Sequence, residues 1–177
     1  MRPKKCKGCG EKFQPVRQFQ KACSVECSVL MIVAARKKAK RTEYKEAKKR
    51  AKTRADWLRE AQAAVNKYRR LQDLAAGHGC ISCGTHNGKM NGGHYRSVGA
   101  SPETRFLPEN ISLQCERCNS HLSGNIINYR LGLIARYGVG YVEFLEGPHP
   151  ATHYTVEDIE GIKRKYSALA RGLERGE

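Results

Sequence analysis

The chain has 177 residues, enough for one medium domain or two to three small modules. Lysine and arginine total 33 against 17 aspartates and glutamates, and this net charge of +16 favours nucleic acid as a partner over an anionic membrane surface. The longest apolar run, residues 29–35, is far shorter than the ~20 residues of a membrane span, and no apolar segment follows the charged N-terminus. These features argue against a membrane or exported protein and predict a soluble cytosolic one.

The eight cysteines form four close pairs. The pairs are Cys6 and Cys9, Cys23 and Cys27, Cys80 and Cys83, and Cys115 and Cys118. Thiolates separated by two residues can converge on one tetrahedral ion at ~2.3 Å each. A disulfide framework is the alternative, but a reducing cytosol disfavours it. We therefore expect two structural Zn²⁺ sites of four cysteines each, without an open coordination position, so that catalysis must come from other residues.

The N-terminal part of the sequence predicts a small zinc module followed by a long helical region. Residues 1–28 hold the first four cysteines, and we expect Phe13 and Phe19 to fill the core of this module. Residues 29–76 contain no glycine or proline, which permits a long helix, from Val29 to Leu74. Between Arg36 and Arg54, eleven Lys/Arg and two Glu give a net +9. Such charge favours a helix or arm lying on phosphates over a solvated linker.

Three further segments show helical patterns. Apolar residues at helical spacing begin at Trp57 and end before Gly77, which predicts a core helix. A second helix is predicted from Asn125 to Tyr137, and a third after a capping box formed by Thr155 and Asp158. The pattern as a whole is typical of a mostly helical α+β protein.

Residues 77–127 contain the residues that indicate chemistry. The informative segments are Cys80-Ile-Ser-Cys83, Gly92-Gly93-His94-Tyr95-Arg96, Asn110-Ile-Ser-Leu-Gln-Cys115 and Cys118-Asn119-Ser-His121. Their order resembles the zinc-bound HNH nucleases, in which two cysteine pairs surround a ββα hairpin. The resemblance implies a zinc-stapled ββα-metal core in residues 77–127, with C-terminal helices in residues 128–177.

Hydrolysis of a phosphodiester needs a base, and His94 suits that role because an imidazole titrates near neutral pH. The alternatives are a buried core histidine or a zinc ligand, and four cysteines at each site disfavour the second. In the HNH family the position of Asn110 stabilises a loop or orients the base. By itself, an asparagine before a strand is more often a turn residue.

Asn119 stands where the family binds its catalytic metal, and its carbonyl oxygen suits Mg²⁺, with Mn²⁺ as a substitute. A helix N-cap is the alternative. Many relatives carry a second ligand, often Asp, where this chain has Gly93, so Asn119 is expected to be the side chain that holds the metal. His121 is a further catalytic candidate; because positions two apart share no helix face, a contact with phosphate or a supporting role beside the metal ligand is the favoured alternative. Arg96 and Arg105 are predicted phosphate contacts, with ordinary surface charge as the alternative.

Over nearly its full length the chain resembles the NinG/Rap recombination proteins of lambdoid phages. The resemblance rests on the N-terminal cysteine module, the basic helix, Ala61-Gln-Ala-Ala-Val-Asn66, Gly93-His94-Tyr95-Arg96 and Cys118-Asn119-Ser-His121-Leu-Ser-Gly-Asn125. It implies a structure-specific endonuclease of the host cytoplasm that cuts Holliday junctions and D-loops. Leu122 stands where we expect Lys, and Asn91 where we expect Asp.

Three other functions fit the same residues. They are a nicking or restriction-type HNH enzyme acting on linear duplex DNA, a non-catalytic zinc module that binds DNA, and an RNA-binding zinc protein. A homodimer is a further hypothesis, because resolving a four-way junction requires two paired cuts.

Overall fold

A computed structural model describes residues 1–176, and the chain divides into two compact units, Met1–Lys52 and Thr53–Glu177. In the N-terminal unit, strand β1 (Lys4–Lys5) pairs with antiparallel strand β2 (Lys12–Phe13), and helix α1 (Val25–Arg50) follows. Ser24 caps α1, because its Oγ accepts a hydrogen bond from the backbone N–H of Cys27 at 3.2 Å. The cap fixes Cys27 in the first turn of the helix.

The core of the N-terminal unit consists largely of cysteines. Cys6, Ala22 and Cys27 are buried, and Phe13 and Met31 pack against them. The prediction for Phe13 is confirmed, whereas the one for Phe19 is wrong, since its side chain is 83% exposed. Ala22, Phe13 and Met31 are the side chains that pack against the cysteines instead.

The region predicted as one long helix contains two. Helix α2 (Arg54–Ala75) begins after Thr53, whose Oγ accepts from the N–H of Asp56 at 3.2 Å. The Asp56 carboxylate in turn accepts from the N–H of Thr53 at 3.0 Å. This capping box starts a new helix, so the prediction of an uninterrupted helix from Val29 to Leu74 is wrong.

The C-terminal unit is built on one antiparallel hairpin. Strand β3 (Met90–His94) pairs with β4 (Ile111–Cys115), so that His94 lies opposite Ile111. The connection between the strands contains two short 3₁₀ turns, Pro102–Thr104 and Pro108–Asn110, and one π-helical turn, Arg117–His121, follows β4. Helices α3 (Ile126–Tyr137), α4 (Val139–Glu146) and α5 (Val156–Arg175) complete the unit. The predicted helix before Gly138 and the Thr155–Asp158 capping box are both confirmed.

Two apolar clusters hold the hairpin among the helices. The first joins α2, α5 and β4 through Trp57, Ala61, Val65, Phe106, Ile111, Ile159 and Tyr166. The second joins α3 and α4 to the hairpin region through Ile81, Tyr95, Tyr129, Leu133, Val142 and Leu145. The prediction that the helix beginning near Trp57 is a core helix is therefore confirmed.

Side chains of α2 also form hydrogen bonds with backbone groups of β4 on the edge that does not pair with β3. Arg69 Nε donates to the carbonyl oxygen of Ile111 at 2.9 Å, and Asp73 Oδ2 accepts from the N–H of Leu113 at 2.6 Å. Arg69 and Asp73 are four residues apart, and both are buried. These side chains take the place of a third strand, because a buried backbone N–H or C=O without a partner is costly.

The fold is thus mostly helical with two small sheets, as predicted for an α+β protein. Within residues 1–176, every helix is either too short or too polar to cross a lipid bilayer.

Candidate active site and metal centres

The first cysteine cluster has the geometry of a tetrahedral metal site. The Sγ atoms of Cys6, Cys9, Cys23 and Cys27 lie within 4.8 Å of one another, and Cys23 Sγ is 3.6 Å from both Cys9 Sγ and Cys27 Sγ. Four thiolates bound to zinc at ~2.3 Å would be ~3.8 Å apart. Backbone N–H groups, that of Cys9 above all, lower the pKa of Cys6 to about 6. They favour the thiolate that a metal requires.

The second cluster repeats this arrangement around the end of the hairpin. The Sγ atoms of Cys80, Cys83, Cys115 and Cys118 also lie within 4.8 Å of one another, and Cys83 Sγ is 3.8 Å from Cys115 Sγ. Asn125 Nδ2 donates to Cys118 Sγ at 3.4 Å. Both predicted four-cysteine sets are therefore confirmed as clusters that could hold zinc.

The second cluster fixes the position of Asn119. Cys115 is the last residue of β4, and Cys118 lies in the π-helical turn immediately before Asn119. The side chain of Asn119 is directed back to β3, because its Oδ1 lies 2.7 Å from the ideal Cβ position of Gly93. A metal at the cysteines would thus hold the turn that carries Asn119 without contacting that side chain.

Two consecutive glycines in β3 allow close approaches on its opposite faces. An ideal Cβ on Gly92 would lie 2.6 Å from the carbonyl oxygen of Asn66, so Gly92 admits helix α2. An ideal Cβ on Gly93 would collide with Gln114 Oε1 as well as Asn119 Oδ1. Glycine is required at both positions because neighbouring atoms occupy the space that a Cβ atom would need.

A cavity of about 550 Å³ brings together residues that are far apart in sequence. It is lined by His94 and Arg96 from β3 and the loop after it, and by Asn119 and Ser123 from the segment after β4. Three predicted site residues, His94, Arg96 and Asn119, therefore share one cavity.

His94 ends β3 with its ring against α2. Its Nε2 lies 3.1 Å from the carbonyl oxygen of Arg105 and 3.0 Å from Gln62 Nε2. Burial lowers the pKa of His94; the hydrogen bond to the Arg105 carbonyl opposes this shift, and the charge of Arg105 adds to it. The imidazole is thus neutral near pH 7. It lies outside both metal clusters, so the alternative of a zinc ligand is wrong for this residue.

Asn110 is fully buried and holds the loop that follows His94. Its Oδ1 accepts from the N–H of Arg96 at 2.7 Å, and its Nδ2 donates to the carbonyl oxygen of Arg96 at 2.9 Å. Nδ2 also donates to Thr104 Oγ1 at 3.1 Å. Although Asn110 ends a 3₁₀ turn, its side chain does more than a simple turn residue would, because it joins both ends of the loop.

The two predicted arginines differ in their surroundings. Arg96 Nε donates to Ser101 Oγ at 3.0 Å and Nη1 to the carbonyl oxygen of Glu146 at 3.2 Å, which fixes the guanidinium beside the cavity. The Arg105 guanidinium lies over the ring of Phe106, 4.8 Å from its centroid, and lines a separate cavity against α2. The structure therefore brings Arg96 to His94, whereas Arg105 contributes its backbone carbonyl.

His121 is not part of this arrangement. It is exposed at the end of the π-helical turn and does not line the cavity that His94 and Asn119 share. The prediction of a catalytic role for His121 finds no geometric support in the described residues. The reason is its offset of two positions from Asn119, which turns the two side chains to different sides of the turn.

Comparison with known proteins assigns the family. The model of the Bacteriophage Lambda NinG protein family matches residues 1–177. Protein ninG of Salmonella phage P22 is 36% identical over 191 residues, covering 96% of this chain and 93% of the relative. The chain belongs to the NinG family. The NinG proteins of Escherichia phages lambda and 933W are also 36% identical, with the same coverage of both chains. No solved structure matches the chain.

This NinG chain also has site residues that the sequence did not identify. Gln62 contacts His94 from α2. Glu146 accepts from Tyr95 Oη at 2.5 Å and from Arg130 Nε at 2.9 Å, and these bonds anchor the end of α4 to the residue after His94. One feature of the sequence could have drawn attention to Gln62. It is followed four residues later by Asn66, so the two form a polar pair on a helix whose other inward residues are mainly apolar.

Proposed function

We propose that this NinG-family protein is a Mg²⁺-dependent DNA endonuclease of the HNH type, acting on branched recombination intermediates. The observation that carries the proposal is the shared cavity of His94 and Asn119. The two residues lie at the end of β3 and directly after the second cysteine cluster, which are the places that the HNH resemblance gives to the base and the metal ligand.

His94 provides the base in this proposal. Nε2 lies at the Arg105 carbonyl, which can only accept a hydrogen bond, so the neutral ring carries its hydrogen on Nε2. Nδ1 then has the lone pair that takes a proton from the attacking water. As the water oxygen bonds to phosphorus, the bond from phosphorus to the 3′-oxygen breaks, and the ring becomes an imidazolium. Its depressed pKa keeps His94 in the required neutral form at the start.

Asn119 is the side chain that would hold Mg²⁺. Its Oδ1 is a hard, neutral oxygen ligand, and it faces position 93, where no side chain competes for space. Mg²⁺ retains several waters when bound, and the cavity of about 550 Å³ has room for them. When bound, the ion would act as a Lewis acid on the phosphate and stabilise the leaving oxygen.

Arg96 and Asn110 support this chemistry from the loop. A guanidinium has five N–H donors, so the contacts of Arg96 with Ser101 and Glu146 set its plane without exhausting its capacity for phosphate. Asn110 bonds both backbone groups of Arg96 and so holds that guanidinium near the cavity. The loop is thereby prepared for a phosphate with growing negative charge.

The N-terminal unit supplies the attraction for DNA. Residues 1–52 contain seventeen Lys/Arg against four Glu, so this unit carries +13 of the total +16. In α1 only Cys27 is buried, and the basic side chains that follow it along the helix are exposed. Contacts with phosphates track the path of the backbone more than its base sequence, which suits recognition of a branched substrate.

The test is cleavage of a synthetic four-way junction and of linear duplexes with the same arm sequences. We expect the wild-type protein to cut the junction faster, only with Mg²⁺ or Mn²⁺. His94→Ala and Asn119→Ala should abolish cleavage while the junction still binds. Equal rates on both substrates would instead indicate a nicking or restriction-type enzyme. Binding without cleavage by the wild type would indicate a non-catalytic zinc module, and RNA that outcompetes the junction would indicate an RNA-binding protein.

A further inference from the structure

The ring of His94 is held on its buried side by two groups from different elements. The carbonyl oxygen of Arg105 comes from the loop between the strands, at 3.1 Å from Nε2. The side-chain amide of Gln62 comes from α2, at 3.0 Å from the same nitrogen. Gln62 is four residues before Asn66, and its Nε2 lies 2.9 Å from Asn66 Oδ1.

The side chain of Gln62 reaches His94 because Gly92 allows α2 to lie close to β3. A Cβ at that position would lie 2.6 Å from the carbonyl oxygen of Asn66, so any other residue would push α2 away from β3. Gln62 is on the same helix, one turn before Asn66. The glycine thus sets the distance at which the amide of Gln62 meets the imidazole.

Hydrogen-bond chemistry decides which atom of Gln62 faces the ring. The Arg105 carbonyl can only accept, so its contact favours the tautomer of His94 that carries the hydrogen on Nε2. An amide NH₂ group facing that N–H would place two donors together. Rotation of the amide by half a turn brings Oε1 to the ring, where it accepts from Nε2, and Asn66 rotates with it to donate through its own Nδ2.

We propose that Gln62 is a positioning residue that, together with the Arg105 carbonyl, fixes the hydrogen of His94 on Nε2 and leaves Nδ1 as the basic nitrogen. Two acceptors directed at one N–H determine both the tautomer and the rotation of the ring. Gln62 contacts neither the metal ligand nor the substrate in this arrangement and acts only through His94. The inference rests on the proposed role of His94 as the base.

The first experiment needs no cleavage activity. Nitrogen-15 chemical shifts of the histidine rings report the tautomer directly, and the signal of His94 is identified by its loss in His94→Gln. The zinc-loaded full-length protein, free of Mg²⁺ and DNA, is compared at pH 8 with Gln62→Leu, Gln62→Glu and Gln72→Leu. Gln72 is an equally half-buried amide on the same helix, but it contacts Arg69. It is therefore the matched control.

We expect His94 to be the Nε2–H tautomer in the wild type, in Gln72→Leu and in Gln62→Glu, whose carboxylate retains an acceptor oxygen. In Gln62→Leu the Arg105 carbonyl is the one acceptor left of the two, so the Nδ1–H tautomer should gain a measurable population beside the Nε2–H form. In junction cleavage, Gln62→Leu should lower kcat about tenfold with little change in KM, and Gln62→Glu should recover most of the rate.

Gln62→Leu with the wild-type tautomer, or with a kcat decrease no larger than that of Gln72→Leu, would overturn the proposal. A Gln62→Glu variant that behaves like Gln62→Leu would overturn it as well, because the acceptor oxygen would then have no effect. If the wild-type protein cleaves no DNA, the proposed function fails, but the tautomer comparison still decides whether Gln62 fixes the ring.

Discussion

The amide oxygen of Asn119 lies 2.7 Å from the point that a Cβ atom on Gly93 would occupy. The absence of a side chain at residue 93 therefore creates the place for Asn119. It also explains why this chain has no carboxylate directly before His94: Gln114 Oε1 and Asn119 Oδ1 both occupy the space that such a side chain would need.

Gly93→Ala should accordingly disable the site without unfolding the protein. The methyl group would displace Asn119 by a few tenths of an ångström or more, and misplacement on the scale of 1 Å costs about a hundredfold in rate. Gly99→Ala is the control, since a Cβ at that exposed position meets no atom within 4 Å. The measurement is junction cleavage at saturating Mg²⁺. Equal rates for the two variants would mean that Asn119 is not held against position 93.

Loss of the metal from the first cysteine cluster should affect DNA binding, whereas loss of the metal from the second should affect cleavage. The purified protein should contain about two Zn²⁺ per chain, and either Cys9→Ser or Cys80→Ser should reduce this to about one. Cys80→Ser should abolish cleavage, because the second cluster holds the turn before Asn119. Cys9→Ser should weaken DNA binding but retain cleavage at saturating DNA. Elemental analysis with paired binding and cleavage assays distinguishes these results, and abolished cleavage in both variants would contradict the separation.

The sequence was informative where the geometry is local. The cysteine pairs, the Thr155–Asp158 capping box and the end of α3 at Gly138 depend on residues a few positions apart, and all are confirmed. The break before α2 was equally local: Thr53 and Asp56 have the same capping-box spacing as Thr155 and Asp158. The prediction of a continuous helix overlooked it because glycine and proline were taken as the only breaks.

The parts that the sequence did not predict depend on tertiary contacts. Gln62 meets His94 across 32 residues, and Arg69 meets Ile111 across 42. The spacing of Gln62 and Asn66 marks a polar pair on α2, but it does not show which residue either of these two polar side chains on α2, Gln62 or Arg69, contacts. Their roles arise only when Gly92 lets α2 approach the hairpin, and periodicity along one helix contains no information about that approach.

Asp73 should be a major determinant of stability. It is 2% exposed, accepts from the N–H of Leu113, and lies 3.5 Å from Arg69 and 3.7 Å from Arg136. Asp73→Ala would remove this acceptor from the buried Arg69, from the half-buried Arg136 and from the N–H of Leu113, at a cost of about 3–5 kcal/mol in the free energy of unfolding. Urea unfolding of the zinc-loaded protein measures the effect.

The control for Asp73 is Glu60→Ala, which removes a more exposed ion pair between the same helix and Lys163. The resulting destabilisation should be no more than about 1 kcal/mol. If the two variants unfold at the same urea concentration with the same slope, Asp73 does not hold the edge of β4.

The pH dependence of cleavage should reflect the half-buried position of His94. Burial lowers its pKa, so the neutral base persists below the ordinary histidine value of ~6.5. The rate should therefore stay level as pH falls through 6.5 and decline only at lower pH, as His94 becomes protonated. Arg105→Met removes the nearby charge but keeps the backbone carbonyl, and it should move the decline to higher pH. An acid limb centred above 6.5 in the wild type would contradict the assignment of His94.

The basic part of α1 should govern affinity for DNA through its interaction with phosphates. Two triple variants remove the same net charge from different helices. They are Lys37→Gln, Lys40→Gln and Arg41→Gln on α1, and Arg164→Gln, Lys165→Gln and Arg171→Gln on α5. All six side chains are exposed.

The α1 variant should bind the junction more weakly. The slope of log affinity against log salt should become shallower by ~0.9 for each phosphate that the protein no longer neutralises. The α5 variant should retain the wild-type slope, although its net charge is equally reduced. Fluorescence anisotropy over a range of salt concentrations measures both slopes, and cleavage at saturating DNA should be unaffected in either variant. If the slopes fall equally, the attraction comes from the net charge of the whole chain, and α1 does not bind the phosphates specifically.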